Sequence, residues 1–129
     1  MLDHVSITVD DLDAAVRFYD AVLGELGHER VSSTGSAAGY GPRNSPDDDT
    51  HCYLSIVLGS PAPDDRHWAF RAGARADVVR FHALAMVNGG SDDGGVDERP
   101  EYHPGYFSAF VRDPSGNRLE AVHHRLCSG

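Results

Sequence analysis

The stretch "DHVSITVDDLDAAVRFY" at residues 3–19 begins with strict alternation of polar and apolar side chains. Val5, Ile7 and Val9 fall on one face of the strand that this alternation predicts, and His4 falls on the opposite face. A strand with one apolar face packs that face on a core. His4 is therefore expected to point away from the core.

The second half of the same stretch predicts a helix over residues 11–26. Asp10 or Asp11 can cap its start, and Gly27 provides a stop at its end. Apolar residues recur at spacings of three and four along the segment, at Leu12, Ala15, Val16, Tyr19, Val22, Leu23 and Leu26. This pattern is typical of an amphipathic helix that covers one face of a sheet.

The same strand and helix pattern occurs a second time, in "RHWAFRAGARADVVRFH" at residues 66–82. An ungapped shift of 67 − 4 = 63 residues superimposes identical residues in the pairs His4/His67, Val16/Val79, Arg17/Arg80, Phe18/Phe81 and Gly27/Gly90. The alternation matches as well, and a second helix is predicted near residues 74–88. Trp68 and Phe70 fall on the predicted core face. An internal duplication explains both similarities.

Further strands complete each repeat. Segments 28–33, 37–41 and 51–59 favour three strands after the first helix. The polar and Pro-rich segment 60–65 is typical of a linker. The chain is thus predicted to be α+β, with two tandem βαβββ modules at residues 1–59 and 66–129.

In the second module, "GYFSAFV" and "RLEAVHH" predict strands at residues 105–111 and 118–124, joined by the turn "DPSGN" at 113–117. Residues 91–104 are rich in Gly, Asp and Pro, and we expect them to form a loop over a site. The acidic segment 45–50 is likewise expected to be a solvated loop.

Composition narrows the function classes. The 129 residues suit a single domain, and 11 basic against 20 acidic residues give a net charge of −9. That charge disfavours nucleic acid and anionic membranes as partners. The N-terminal residues lack the pattern of a secretory signal, so a cytoplasmic location is expected. With only Cys52 and Cys127, a metal site would use nitrogen and oxygen ligands.

Three segments in this order resemble the vicinal oxygen chelate superfamily, also called the glyoxalase/bleomycin resistance protein/dioxygenase group. They are "LDHVSITVDDLDAAVRFY", "HWAFRA…VVRFH" and "YHPGYFSAFVRDPSGNRLEAV", and together they extend over nearly the whole chain. The resemblance implies that the two modules form one eight-strand cup. It also implies a divalent metal, Zn, Ni, Mn or Fe, and a homodimer whose cups lie within each chain or are shared between chains.

The resemblance implies that the metal ligands are His4, His67 and Glu120, on the first strand of each module and the last strand of the second. Two imidazoles and a carboxylate make a facial ligand set with open positions for substrate and water. Glyoxalases have a fourth, acidic ligand on the last strand of the first module, where this chain has Ser55. This departure disfavours a strict glyoxalase I. For Glu120, the alternative is a surface ion pair with Arg118 or Arg112.

Residues beside the ligand strands could act on the substrate. His103, with Glu120, is a candidate acid or base, and Tyr102 and Tyr106 are candidate substrate-binding residues. Arg71 shares the face of His67 and could bind a carboxylate or enolate, or form a salt bridge across the cup. Three other histidines near strand ends are not expected to take part: His51, His123 and His124.

Three functions fit these residues. The first is a metal-dependent lyase or isomerase of glyoxalase type that acts on a small oxygen-chelating substrate. The second is an extradiol-type dioxygenase that uses Fe(II) or Mn(II). The third is a non-catalytic antibiotic- or metabolite-binding protein of the bleomycin resistance type.

Overall fold

The computed structural model describes residues 2–62 and 66–125, and this part of the chain contains eight strands and two helices. Their order is β1 (His4–Val9), α1 (Leu12–Glu25), β2 (Arg30–Ser33), β3 (Ala37–Tyr40), β4 (Tyr53–Leu58), β5 (His67–Arg71), α2 (Arg75–Val87), β6 (Ser91–Glu98), β7 (Phe107–Arg112) and β8 (Arg118–His123). The predicted α+β class and the two βαβββ modules are confirmed.

Each module forms its own four-stranded sheet. The strand orders are β1-β4-β3-β2 and β5-β8-β7-β6, so the first and last strands of each module lie side by side. These neighbours are parallel, and the remaining pairs are antiparallel. The linker predicted at 60–65 lies partly outside the described residues.

The duplication extends to the strand register. Ser6 pairs with Ser55 in the first sheet, and Ala69 pairs with Glu120 in the second. Ala69 follows Ser6 by 69 − 6 = 63 residues, the shift found in the sequence, and Glu120 follows Ser55 by 120 − 55 = 65 residues, so the second module has two additional residues between its first and last strands. Ser55 therefore occupies the position in module 1 that Glu120 occupies in module 2.

The loop predicted over residues 91–104 is wrong for its first part, which forms β6. This strand pairs with β7 at the edge of the sheet, where acidic side chains can remain in water. Gly94 and Gly95 adopt positive φ angles of 142° and 73°, and the register shifts between Asp92 and Gly95. The glycines thus form a bulge rather than break the strand. Of the segment 91–104, only residues 99–104 lie outside the strand.

One hydrophobic core joins the two modules. Asp11 caps α1 by accepting a hydrogen bond from Ala14 N at 3.0 Å, and α1 packs beside α2. Tyr19 from α1 donates a 2.6 Å hydrogen bond to Asp113 in the β7–β8 turn, and both side chains are buried. Trp68 was expected in the core but is 37% exposed, because it lies on β5, which is an edge strand.

Two smaller features accompany this fold. Within the described residues, no helix is long and apolar enough to cross a membrane. Cys52 is a free, exposed thiol, whereas Cys127 lies outside the described part.

Candidate metal centre

The second sheet brings His67 and Glu120 together. They lie on the neighbouring strands β5 and β8, and His67 Nε2 is 3.1 Å from Glu120 Oε1. Glu120 is only 2% exposed. The alternative of a surface ion pair is wrong for this carboxylate, because Arg118 and Arg112 contact Asp93 instead, at 2.7 and 3.3 Å.

Tyr106 holds the other oxygen of the same carboxylate. Its hydroxyl donates a hydrogen bond of 2.5 Å to Glu120 Oε2. Burial, followed by the hydrogen bond and the charge of Glu120, raises the pKa of Tyr106 well above the ordinary tyrosine value. The hydroxyl therefore remains a proton donor at neutral pH and fixes the orientation of Glu120.

Aromatic and guanidinium groups form the surroundings of this pair. Phe110 is the pairing partner of Glu120 on β7, and its ring centroid lies 5.5 Å from that of His67. The guanidinium carbons of Arg118 and Arg99 stand 4.3 and 4.8 Å from the Phe110 ring centroid. Neither Phe110 nor Arg99 was predicted from the sequence. Alternation along β7 could have identified Phe110, whereas nothing local identifies Arg99.

His103, Tyr102 and His124 form an aromatic cluster around Tyr106. The ring centroids of Tyr102, His103 and His124 lie 4.8, 5.4 and 5.3 Å from that of Tyr106. His103 Nδ1 is 2.8 Å from the carbonyl oxygen of Pro104, so this nitrogen must carry a proton. His103 Nε2 faces His124 Nδ1 at 3.1 Å. His124 was not expected to take part, yet it shares this cluster with His103.

His4 does not join His67 and Glu120 within the chain. Asn117, next to Arg118 in sequence, donates a 2.8 Å hydrogen bond to the carbonyl of Thr8, and Arg118 pairs with His67. This contact places His67 near the Thr8 end of β1. His4 lies four residues back along the strand, a distance of about 13 Å. Its ring bonds Asp3 and its side chain is 65% exposed.

The His67–Glu120 pair nevertheless fits a divalent metal. An imidazole nitrogen and a carboxylate oxygen are suitable ligands, and two neighbouring ligands about 2.1 Å from one ion lie roughly 3 Å apart. The observed 3.1 Å separation agrees with that spacing. Within residues 2–62 and 66–125, however, no group of three or more His, Cys, Asp or Glu side chains is arranged to hold an ion.

Two more residues that the sequence singled out lie apart from this pair. Arg71 lines cavities at the end of β5 rather than the surroundings of the Glu120 carboxylate. Ser55 occupies the equivalent of the Glu120 position but supplies a neutral hydroxyl. Neither residue adds charge to the His67–Glu120 pair.

Comparisons with known proteins agree with this fold. The model of the Glyoxalase/Bleomycin resistance protein/Dioxygenase superfamily matches residues 1–121. A glyoxalase/bleomycin resistance protein from Albidiferax ferrireducens T118 is 30% identical with a TM-score of 0.79, and the alignment covers 97% of this chain and 99% of that one. No curated protein matches.

More distant structures show the same fold. For a putative glyoxalase from Bacillus halodurans, the identity is 28%, the TM-score 0.67, and the coverage 95% of this chain and 94% of that one. The fosfomycin resistance protein FosX from Mesorhizobium loti is 17% identical with a TM-score of 0.68, and the alignment covers 98% of this chain and 93% of that one. The family model matches residues 1–121, and the duplicated modules and the fold agree with that match. The chain therefore belongs to the glyoxalase/bleomycin resistance protein/dioxygenase superfamily.

Proposed function

We propose that the chain is a metal-dependent lyase or isomerase of glyoxalase type that acts on a small oxygen-chelating substrate. The observation that carries this proposal is the buried carboxylate of Glu120, with His67 Nε2 at one oxygen and the Tyr106 hydroxyl at the other. A carboxylate that is 2% exposed is unfavourable unless a cation or hydrogen bonds compensate for its charge. A metal ligand is a role that fits this arrangement.

The third ligand is His4 of a second copy in a homodimer. Within one chain, His4 lies along β1 from the His67–Glu120 pair, and its exposed ring is available to another chain. β1 and β5 are both edge strands of their sheets, so each has one side to which no strand of the described chain is bonded. A dimer in which the modules are exchanged would bring His4 of one copy to His67 and Glu120 of the other.

When bound, the metal would act as a Lewis acid on two oxygens of the substrate. The surrounding residues would direct the chemistry. Tyr106 keeps Glu120 oriented, and His103 can take up or release a proton at Nε2, because its Nδ1 is already committed to the Pro104 carbonyl. The rings of Tyr102 and His124 contact Tyr106 beside His103. Arg99, which bonds only the neutral oxygens of Ser108, Gly94 and Gly95, supplies positive charge for an anionic substrate.

A metal titration tests this proposal. Purified protein is prepared anaerobically and titrated with Zn, Ni, Mn and Fe(II), with Glu120→Gln and His67→Ala as variants. Both variants should lose most metal affinity, whereas Glu101→Gln, an exposed carboxylate nearby, should bind like the parent. Equal binding by the parent and Glu120→Gln would overturn the proposal.

The ligand set also fits an extradiol-type dioxygenase. Two histidines and one carboxylate are typical of Fe(II) sites that bind O₂ and a substrate at the open positions. Oxygen-sensitive Fe(II) bound in preference to Zn or Ni, together with ring cleavage of a catechol, would favour this alternative. A protein that binds no metal but retains an antibiotic or metabolite would instead be a sequestering member of the family.

A further inference from the structure

A cavity lies between the two modules, at the end of α1 and beside β5. Its volume is about 530 Å³. Apolar side chains from both modules line it, among them Val5, Leu26 and Leu54 from the first and Trp68 and Phe70 from the second. None of His67, Glu120 and Tyr106 lines it, so it differs from the candidate metal centre.

A basic cavity adjoins the apolar one. It has a volume of about 410 Å³ and is lined by Arg71, Ala72, Gly73, His123, His124 and Arg125. Arg71 and Gly73 line both cavities. Neither set of described lining residues includes an acid, although the chain has 20 acidic and only 11 basic residues. Such a local excess of positive charge attracts anions.

Arg71 is a cationic residue that the two cavities share. It has no hydrogen bond or ion pair within the part of the chain that the structure describes, whereas Arg75, Arg80 and Arg118 are each paired with a carboxylate. An arginine at such a position can donate two parallel hydrogen bonds to a carboxylate. Arg71 is thus a recognition group without a ligand among the described residues.

We propose that this cavity binds an apolar carboxylate, with the carboxylate on Arg71 and the hydrocarbon among Val5, Leu26, Leu54, Trp68 and Phe70. The charge of Arg71 selects an anionic head group, and the apolar lining selects the tail. Ligand sites in proteins typically have volumes of roughly 300–1000 Å³, a mainly apolar lining and a few polar groups that fix orientation. The observed cavity fits that description.

Fluorescence offers a direct assay, because Trp68 is the only tryptophan in the chain and lines the cavity. The parent is titrated with octanoate and, separately, with 1-octanol, in the presence of a metal chelator. The chelator separates this site from the proposed metal centre, so failure of one proposal leaves the other unaffected. Octanoate should give a saturable change in emission and bind roughly tenfold more tightly than octanol, because only the carboxylate is charged and can accept two hydrogen bonds from Arg71 at once.

Two variants of equal charge test the role of Arg71. Arg71→Gln should weaken octanoate binding about tenfold and leave octanol binding unchanged. Arg80→Gln is the matched control, because Arg80 lies on α2 and bonds Glu25 and Asp77; it should bind octanoate like the parent. Circular dichroism confirms that both variants fold.

Cys52 gives an independent measurement, because it is exposed and lines the cavity. In a Cys127→Ser background Cys52 is the sole thiol, and octanoate should slow its alkylation at the concentrations that change Trp68 emission. Two results would each overturn the proposal: equal binding of octanoate and octanol by the parent, or octanoate binding that survives in Arg71→Gln. An absence of any saturable response would overturn it as well, including the case in which a second copy covers the cavity.

Discussion

Replacing Tyr106 by Phe removes one hydroxyl from the candidate metal centre and leaves the ring in place. In the parent, that hydroxyl donates the 2.5 Å hydrogen bond to Glu120 Oε2, while His67 Nε2 lies 3.1 Å from Oε1. The variant therefore leaves one oxygen of a buried carboxylate without its donor. Glu120 becomes free to rotate away from His67.

Two effects of known magnitude follow from this change. A hydrogen bond to a charged group contributes roughly 1.5–3 kcal/mol, so the metal-free variant should lose about that much free energy of unfolding. A group that orients a metal ligand typically contributes about 10- to 100-fold to metal affinity. Tyr106→Phe should therefore bind metal within that range more weakly than the parent.

Chemical denaturation and metal titration measure the two effects. Tyr102→Phe is the matched control, since its ring lies 4.8 Å from that of Tyr106 but its side chain is exposed. The control should keep the stability and the metal affinity of the parent. The reasoning is refuted if Tyr106→Phe retains both, or if the two variants lose them equally.

Three further predictions concern the fold. Burial raises the pKa of Tyr19, Tyr40 and Tyr106 above the usual 10.0. The folded state therefore binds their protons more tightly than the unfolded state does, and the free energy of unfolding should fall as the pH rises above 10.0. This fall should be less steep in Tyr106→Phe, which lacks one of the three hydroxyls. A pH series of urea denaturation curves measures this loss, and a flat profile above that pH contradicts it. Gly39→Ala should destabilise the fold by about 1–3 kcal/mol, because its Cβ would lie 1.4 Å from the Tyr53 hydroxyl oxygen. Gly35→Ala is the control: its Cβ would have no neighbouring atom within 4 Å, and it should change stability by less than about 0.5 kcal/mol. Equal urea midpoints for these two variants would show that the Tyr53 ring yields freely. Asp113→Ala removes the acceptor of the buried Tyr19 hydroxyl and of three N–H groups of Ser115 and Asn117. It should cost at least about 3 kcal/mol in thermal or urea unfolding, and a parental midpoint would show that these bonds together contribute little.

The sequence predicted the elements whose physical causes are local. Alternation located β1 and β5, and spacings of three and four located α1 and α2. The strand β6 was missed because its pairing with β7, rather than its own composition, holds residues 91–98 extended. Acidic and glycine residues are tolerated there because the strand lies at an edge and contains a bulge.

The candidate site was predicted only in part, for a similar reason. Alternation indicated that His67 and Glu120 could share a face, and the parallel pairing of β5 and β8 brings them together. The contact between Tyr106 and Glu120 depends on how the segment before β7 folds over the sheet, which no local pattern reports. The separation of His4 from this pair depends on how the modules pack on each other, and this too is a property of the whole chain.

The most direct test of the shared metal site mixes two variants that each lack one of the proposed metal ligands. His4→Ala and Glu120→Gln should each bind little metal alone. When they are combined in equal amounts and allowed to exchange subunits, half of the dimers should be mixed, and each mixed dimer should have one intact site of two. The mixture should therefore regain about a quarter of the metal per chain that the parent binds. A mixture that binds no more metal than the separate variants would contradict a site built from His4 of one copy and His67 and Glu120 of the other.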